Sequence, residues 1–236
     1  MSVRFAVLLL TFASTVPLLA TPGSCTTRTA QQYQNSDGCF ADPFTFKNFN
    51  WFNESGDNLV NVPSSQVLLT PSFSNGRIDV LISSDSFDVS GTDRIKVFLE
   101  YTIDPPPPIL DDFSLELFAQ TPTNGGFAII TSLICVGDLF SNGCEGGTVR
   151  SLSVQNFGAG DPRTDIGART IRFGGVSVLD TRTSIELVAN GGRSQISGYG
   201  NTVIPGADTP EPATGLVMAP VIAGLFLFAR RRSRAN

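Results

Sequence analysis

The stretch RIKVFLEYTI, residues 94–103, decides the fold class of this 236-residue chain. Its odd-numbered positions are apolar and most even-numbered ones are polar, which is the two-residue period of a strand with one buried face. The same period predicts further strands at 78–83, 113–117, 127–135, 152–154, 170–173, 176–179 and 184–188. Turn pairs such as Asn75-Gly76 and Asn142-Gly143 separate these strands. Many short strands joined by turns predict an all-β fold, an antiparallel β-sandwich of the jelly-roll or Ig-like kind.

Four consecutive prolines, Pro105–Pro108, follow that first strand. Proline has no N–H to donate to a sheet ladder, so the segment predicts a stiff exposed connector. We therefore expect the strand that ends near Ile103 and the strand that starts near Asp112 to lie on opposite sheets or at an edge.

Aromatic side chains crowd the segment from Phe40 to Phe52. Two uses of them are open, because flat aromatic faces pack against sugar rings but also fill protein cores. The alternating members are predicted to fill the sandwich core: Phe44, Phe46, Phe49 and Trp51.

The four cysteines fall into two local pairs, Cys25 with Cys39 and Cys135 with Cys144. In an exported chain this spacing indicates disulfides, and of the three possible connectivities we predict the nearest-neighbour one. A zinc site is disfavoured, since the chain has neither histidine nor a Cys-x-x-Cys motif.

The N-terminus is typical of an export signal. Arg4 provides a basic start, and the apolar run 5–13 follows it, with a plausible cleavage after Ala20. We therefore assign residues 1–20 to a signal peptide and 21–208 to the β-sandwich domain. A lipoprotein that uses Cys25 is an alternative, but Pro22-Gly23-Ser24 lacks the leucine expected ahead of a lipidated cysteine.

The segment 209–236 contains Pro210-Glu211-Pro212, the uncharged run Ala213–Ala229 and the cluster Arg230-Arg231-Arg232. The run has 17 residues, just enough at about 1.5 Å per helical residue to approach the roughly 30 Å of a hydrocarbon core. We predict a single transmembrane helix with its arginines in the cytoplasm. Pro220 inside the run favours a transient stop over a permanent anchor, which remains the alternative.

This tail resembles the sorting signal of PEP-CTERM proteins, in which the triplet is recognised by an exosortase, a membrane-bound cysteine transpeptidase. The resemblance implies an exported bacterial protein that is anchored transiently in the inner membrane and then released to the envelope or exterior. The early Cys25…Gly38-Cys39 pair, the segment 44–51 and the later Cys135…Gly143-Cys144 pair also resemble an uncharacterised PEP-CTERM group. That wider resemblance implies a shared domain type and no established activity.

Charge and composition exclude several functions. Residues Thr21–Thr209 carry 20 acidic and 11 basic side chains, and this acidity disfavours nucleic-acid binding. Without histidine there is no Ser-His or Cys-His dyad, and a Ser-Lys dyad could use only Lys47 or Lys96. A paired-carboxylate glycosidase stays open, because residues 21–209 offer 20 carboxylates as candidates, among them Glu100, Asp111, Asp112 and Glu116.

Two oxygen-rich loops, 35–38 and 161–165, lack the ligand spacing of a calcium loop and are interpreted as turns. We expect no catalytic residue, cofactor or metal. The sequence thus predicts a non-enzymatic envelope or extracellular-matrix protein associated with exopolysaccharide. The alternatives are a carbohydrate-binding module at the cell surface and a carboxylate-based glycan hydrolase.

Overall fold

The computed structural model describes residues 22–104, 110–119 and 122–206, which form two antiparallel sheets. Seven strands build the first sheet: β1 (Arg28–Thr29), β4 (Leu68–Ser74), β5 (Arg77–Ser83), β6 (Asp88–Ser90), β8 (Leu110–Ala119), β11 (Arg169–Val176) and β13 (Arg193–Pro205). Six build the second: β2 (Cys39–Ala41), β3 (Phe44–Asn53), β7 (Arg94–Asp104), β9 (Phe127–Val136), β10 (Thr148–Asn156) and β12 (Leu179–Val188). One short helix, α1 (Ala30–Gln34), and two 3-10 turns, Ser64–Gln66 and Phe140–Asn142, complete the described part.

The seven-stranded sheet has the order β1-β4-β5-β13-β8-β11, and β6 pairs with the beginning of β13. The six-stranded sheet has the order β10-β9-β12-β7-β3-β2. In the described part of the chain no helix is long and apolar enough to cross a membrane. Both predicted terminal signals, including Pro210-Glu211-Pro212 and Arg230-Arg231-Arg232, lie outside the described residues.

The core lies between the two sheets, and β7 buries one of its faces there, as the sequence predicts. The inward side chains of β7 are fully buried: Ile95, Val97, Leu99, Tyr101 and Ile103. Asn201 on β13 donates from Nδ2 to the hydroxyl of Tyr101 at 2.8 Å, so a hydrogen bond joins the sheets across the core. Burial raises the pKa of Tyr101 to about 12, and its hydroxyl therefore stays protonated.

The alternating aromatics of β3 are core residues, which confirms that prediction. Phe44 and Phe46 are fully buried, while Phe49 and Trp51 are 6% and 5% exposed. Trp51 donates from its indole N–H to the carbonyl of Val62 at 2.9 Å, so its polar atom is satisfied inside the core.

Both disulfides join nearest neighbours, as predicted. Cys25–Cys39 ties the segment before β1 to β2, and Cys135–Cys144 ties the end of β9 to the loop that follows it. Asp138 organises this second loop, because its carboxylate accepts hydrogen bonds from the backbone N–H groups of Leu139 and Gly146.

The prediction for the proline connector is confirmed where it can be followed. β7 ends at Asp104 in the six-stranded sheet and β8 begins at Leu110 in the seven-stranded sheet, so the two strands lie on opposite sheets. The prolines themselves lie outside the described residues.

The predicted strand at 176–179 is wrong. Val176 ends β11 in one sheet and Leu179 begins β12 in the other, so the alternating apolar residues here straddle a crossing between sheets. The sequence patterns also missed β4 and β13. β4 contains Pro71, which is tolerated because β1 pairs only with Leu68 and Leu69 and leaves the rest of β4 at the sheet edge.

Candidate functional site

Two glycines of β13 leave the outer face of the seven-stranded sheet bare between β5 and β8. Gly198 pairs with Ser83 and Phe118, and the outward position two residues later, Gly200, pairs with Leu81 and Glu116. A glycine inside a strand marks a place where backbone or ligand approaches closely. Gly198 allows the backbone of β5 to approach closely, since a Cβ there would lie 2.1 Å from the carbonyl oxygen of Ile82.

Gly200 has a different environment. A Cβ there would lie 3.5 Å from Cε2 of the Phe118 ring, an ordinary contact, so the fold has room for a side chain at this position. The bare backbone at Gly200 instead forms part of an open depression of about 260 Å³. Leu81 on one side and Phe118 on the other are 41% and 39% exposed. The depression therefore has apolar flanks and a bare backbone between them.

Polar groups complete this depression. Arg77, Asp79, Glu116 and Thr202 line it together with the apolar pair. The Thr202 hydroxyl donates to Asp79 at 2.7 Å. Arg77 and Glu116 form no ion pair with any described residue. Their hydrogen-bonding capacity is thus directed to solvent or to a ligand.

A second depression, of about 380 Å³, includes Ser83 of β5 and Ser197 of β13. Its lining is mostly hydroxyl and amide: Gln66, Leu68, Ser83, Ser84, Asp85, Ser86 and Ser197. Ser86 donates to Oε1 of Gln66 at 2.7 Å, and Ser84 donates to the Gln66 carbonyl at 2.8 Å, so these side chains are held in place.

The two depressions lie along the same two strands, β5 and β13, and we call them together the β13 groove. Leu81 and Ser83 are successive outward residues of β5, and the Ser197 hydroxyl donates to the backbone carbonyl of Phe118 at 3.0 Å. From Arg77 to Ser83 the groove follows six residue steps of β5, about 20 Å at roughly 3.3 Å per residue. An open groove of this length with apolar flanks and convergent polar groups suits an extended polar chain.

The outer face of the six-stranded sheet is organised differently. Phe52 and Phe98 stack on each other with ring centroids 4.8 Å apart and planes at 13°. The charges on this face are paired: Lys47 with Asp104, Lys96 with Glu54, Arg94 with Glu186, and Arg182 with Glu100. This face satisfies its own groups and offers few of them to a ligand.

The candidate carboxylates from the sequence are not brought together. Glu100 lies on the six-stranded sheet and pairs with Arg182, whereas Glu116 lies on the opposite sheet in the β13 groove. Asp112 lies 3.5 Å from Arg172, and its neighbour Asp111 is half-buried at the start of β8. The carboxylate that lines the same depression as Glu116 is that of Asp79, which sequence reasoning did not single out.

The other candidate residues from the sequence are paired with neighbouring groups of the fold. Lys47 and Lys96 both lie in ion pairs. Asp161 accepts hydrogen bonds from the backbone and guanidinium of Arg163, which lower the pKa of its carboxyl to about 2. Among the described residues no group of three or more His, Cys, Asp or Glu side chains could hold a metal ion.

One sequence signal could have located the groove. Gly198 and Gly200 stand at alternate positions of a segment that includes Ile196 and Val203. We did not predict this strand, because its inward positions include the polar Ser194 and Asn201 and its outward positions include the two glycines.

No family model matches the chain, and no curated protein matches it. Among solved structures, the carbohydrate-binding module TmCBM61 in complex with β-1,4-galactotriose is similar over 60% of this chain and 86% of its own, with 10% identity and a TM-score of 0.28. The family 11 carbohydrate-binding module of Clostridium thermocellum, in complex with a mixed-linked tetrasaccharide, matches over 67% of this chain and 89% of its own, with 11% identity and a TM-score of 0.22. The enzymatically active domain of bacteriophage CBA120 tailspike protein 4 matches over 67% and 19%, with 13% identity and a TM-score of 0.27. Likenesses this distant identify neither a family nor a ligand.

Proposed function

We propose that this chain is an exported, non-catalytic β-sandwich that binds polysaccharide through the β13 groove. The observation that carries the proposal is the exposed Phe118 beside the bare backbone of Gly200, with Leu81 across from it and unpaired polar groups on either side. A sugar ring has an apolar face of C–H groups and a rim of hydroxyls. The first would lie on Phe118 and Leu81, and the second would bond to Glu116, Asp79 and the serines of the adjoining depression.

The absence of catalysis is part of the proposal. The chain has no histidine, and the pairing of Glu100 with Arg182 removes it from the candidate carboxylates. A general acid in such a site would need an environment that holds its proton near neutral pH. Glu116 instead lies exposed in an open groove.

The experiment is a binding measurement on the purified full-length protein with a panel of neutral and acidic polysaccharides. Phe118→Ala should weaken binding at least about tenfold, the loss expected when an aromatic anchor is removed from a binding site. Phe52→Ala, which truncates the exposed aromatic of the other sheet, is the matched control and should bind like the wild type. Equal binding by all three proteins would refute the β13 groove as the site, and no binding to any glycan would favour a purely structural envelope protein.

One observation favours a second function, a carboxylate-based glycan hydrolase. Asp79 and Glu116 line the same depression, and a glycosidase needs two carboxylates flanking the bond it cleaves. Incubation with each bound glycan, followed by a reducing-end assay, separates the two functions. Turnover that is abolished by Glu116→Gln or Asp79→Asn would establish the hydrolase, while binding without new reducing ends supports the binding protein.

For localisation, we propose that an exosortase processes the tail at or near Pro210-Glu211-Pro212 after export. The support is the order of the triplet, the apolar run Ala213–Ala229 and the arginine cluster. The mature protein should then lack both terminal signals and act in the envelope or outside the cell. Intact mass of the protein recovered from an exosortase-containing host tests this, and a mature form that retains Arg230–Arg234 would contradict it.

A further inference from the structure

The charges around the β13 groove indicate the class of glycan that it accepts. Three carboxylates line the groove, Asp79, Asp85 and Glu116, against one cation, Arg77. We infer that the groove selects uncharged polysaccharide and rejects chains that carry carboxylate or sulfate groups. This inference rests on the proposed function and deepens it by naming the ligand class.

Neighbouring groups do not reverse this balance. On the β11 side of the groove, Arg172 lies beside Asp112 and the two charges offset each other. On the other side, Arg193 is bonded to Asp88. With both pairs counted, the carboxylates around the groove still outnumber the guanidinium groups, five to three.

The charge of the whole exported segment acts in the same direction. Residues Thr21–Thr209 carry 20 acidic and 11 basic side chains, a net charge of −9. Although salt screens interactions beyond about 8 Å at physiological ionic strength, the groove carboxylates would lie closer than this to any bound chain. Like charges at such distances oppose binding.

The hydrogen-bonding chemistry agrees with the charge. Ionised Asp79 and Glu116 can only accept hydrogen bonds, so they need donors on the ligand. Sugar hydroxyls donate, whereas a uronate carboxylate or a sulfate only accepts. An anionic group opposite Glu116 would therefore lose a hydrogen bond as well as meet a like charge.

The test uses a neutral glycan that binds in the panel and the same glycan with its primary hydroxyls oxidised to carboxylates. The oxidised chain should bind at least tenfold more weakly, and the difference should narrow as salt is added. Methyl esterification of the new carboxylates removes their charge and adds only a methyl group, so it should restore most of the binding. Failure of the ester to recover binding would show that shape rather than charge is responsible and would overturn the inference.

Two double variants test whether the preference for the neutral chain arises from the charges in the groove. Asp85→Asn with Glu116→Gln should reduce the preference for the neutral chain, because it removes two of the three groove carboxylates. Glu54→Gln with Glu186→Gln changes the net charge equally on the six-stranded sheet and should leave the preference unchanged. Equal reductions in the two variants would contradict a local origin.

The outcomes distinguish this inference from the proposed function. If only acidic glycans in the panel bind, or if the oxidised chain binds as well as its parent, the inference fails while glycan binding stands. If no glycan binds at all, the proposed function fails.

Discussion

The outer faces of the two sheets use their side chains in contrasting ways. On the six-stranded sheet the exposed Phe52 stacks on Phe98, and basic side chains such as Arg182 pair with acidic neighbours. On the seven-stranded sheet Phe118 has no aromatic partner among the described residues, Glu116 has no described cation, and Gly200 leaves the backbone bare. Both faces belong to one sandwich with one core, so stability alone does not require the second arrangement. The difference shows that an unpaired set of groups on an otherwise well-paired surface is the more informative guide to a ligand site.

The largest expected effect comes from Gly198 of β13. Gly198→Ala places a Cβ 2.1 Å from the Ile82 carbonyl oxygen, so β13 and β5 would have to separate. We expect the free energy of unfolding to fall by about 3 kcal/mol, the upper part of the usual range for overpacking. Gly200→Ala, whose nearest neighbour is the Phe118 ring at 3.5 Å, is the matched control and should fold normally. Denaturant titration measures both, and equal losses would contradict the distinction between the two positions.

A second change acts on the ligand rather than the fold. Gly200→Val would fill the floor of the depression between Leu81 and Phe118, and glycan affinity should drop at least about tenfold, or 1.4 kcal/mol. Ser184→Val places the same valine side chain on the outward face of β12 in the six-stranded sheet and should leave affinity unchanged. Isothermal titration with a bound glycan, alongside denaturation midpoints, separates lost binding from lost folding. Unchanged affinity in a folded Gly200→Val protein would place the site elsewhere.

A smaller effect concerns the pH dependence of stability. One carboxyl group on each sheet should contribute to the free energy of unfolding, and the two contributions should change with pH in opposite directions. Burial raises the pKa of Asp180 on β12, although the N–H of Phe140 and the hydroxyl of Thr102 donate to it. Its contribution to stability is present below the unfolded pKa of about 3.9 and is lost as the pH rises through the folded value. The bond from Arg193 lowers the pKa of Asp88 on β6, so its contribution is present above the unfolded value and is lost as the pH falls through the folded one.

Denaturant unfolding curves of Asp180→Asn and Asp88→Asn test the direction of each change. They are recorded from about pH 3 to about pH 7, a range that includes the unfolded pKa of aspartate. The wild type should gain stability from Asp180 as the pH falls, and Asp180→Asn should lack this gain. The wild type should lose stability from Asp88 as the pH falls, and Asp88→Asn should show a smaller loss. Shifts of the same sign in both variants would show that one of the two environments is misassigned.

The smallest effect distinguishes paired from unpaired arginines. Arg182→Met removes the partner of Glu100 on the six-stranded sheet and should cost about 0.5 kcal/mol, as is usual for a partly exposed ion pair. Arg77→Met removes a guanidinium that has no described ionic partner and should leave the free energy of unfolding unchanged. A clear loss in Arg77→Met would mean that this side chain stabilises the fold and is not held free for a ligand.

The sequence was sufficient to predict the class of fold and much of its core. The alternation in residues 94–103 marks the centre of the six-stranded sheet, and the spacing of the cysteines identifies both disulfides. β13 was missed because Ser194 and Asn201 face inward, where an apolar residue is expected, and because glycine usually indicates a turn. The groove was missed for the same reason, since its floor is β13. Asp79 and Glu116 are 37 positions apart in sequence, and only the placement of β13 between their strands brings them to one depression.

The position of β13 also has a consequence for the order in which the protein folds. This strand is the last in the described chain, yet it lies in the interior of its sheet, between β5 and β8. A chain that is still being synthesised can pair β9, β12 and β7 of the other sheet before Arg193–Pro205 is available. Until then, the edges of β5 and β8 that pair with β13 stay unpaired, and such edges pair readily with other chains. Completion of the sandwich and formation of the groove therefore coincide.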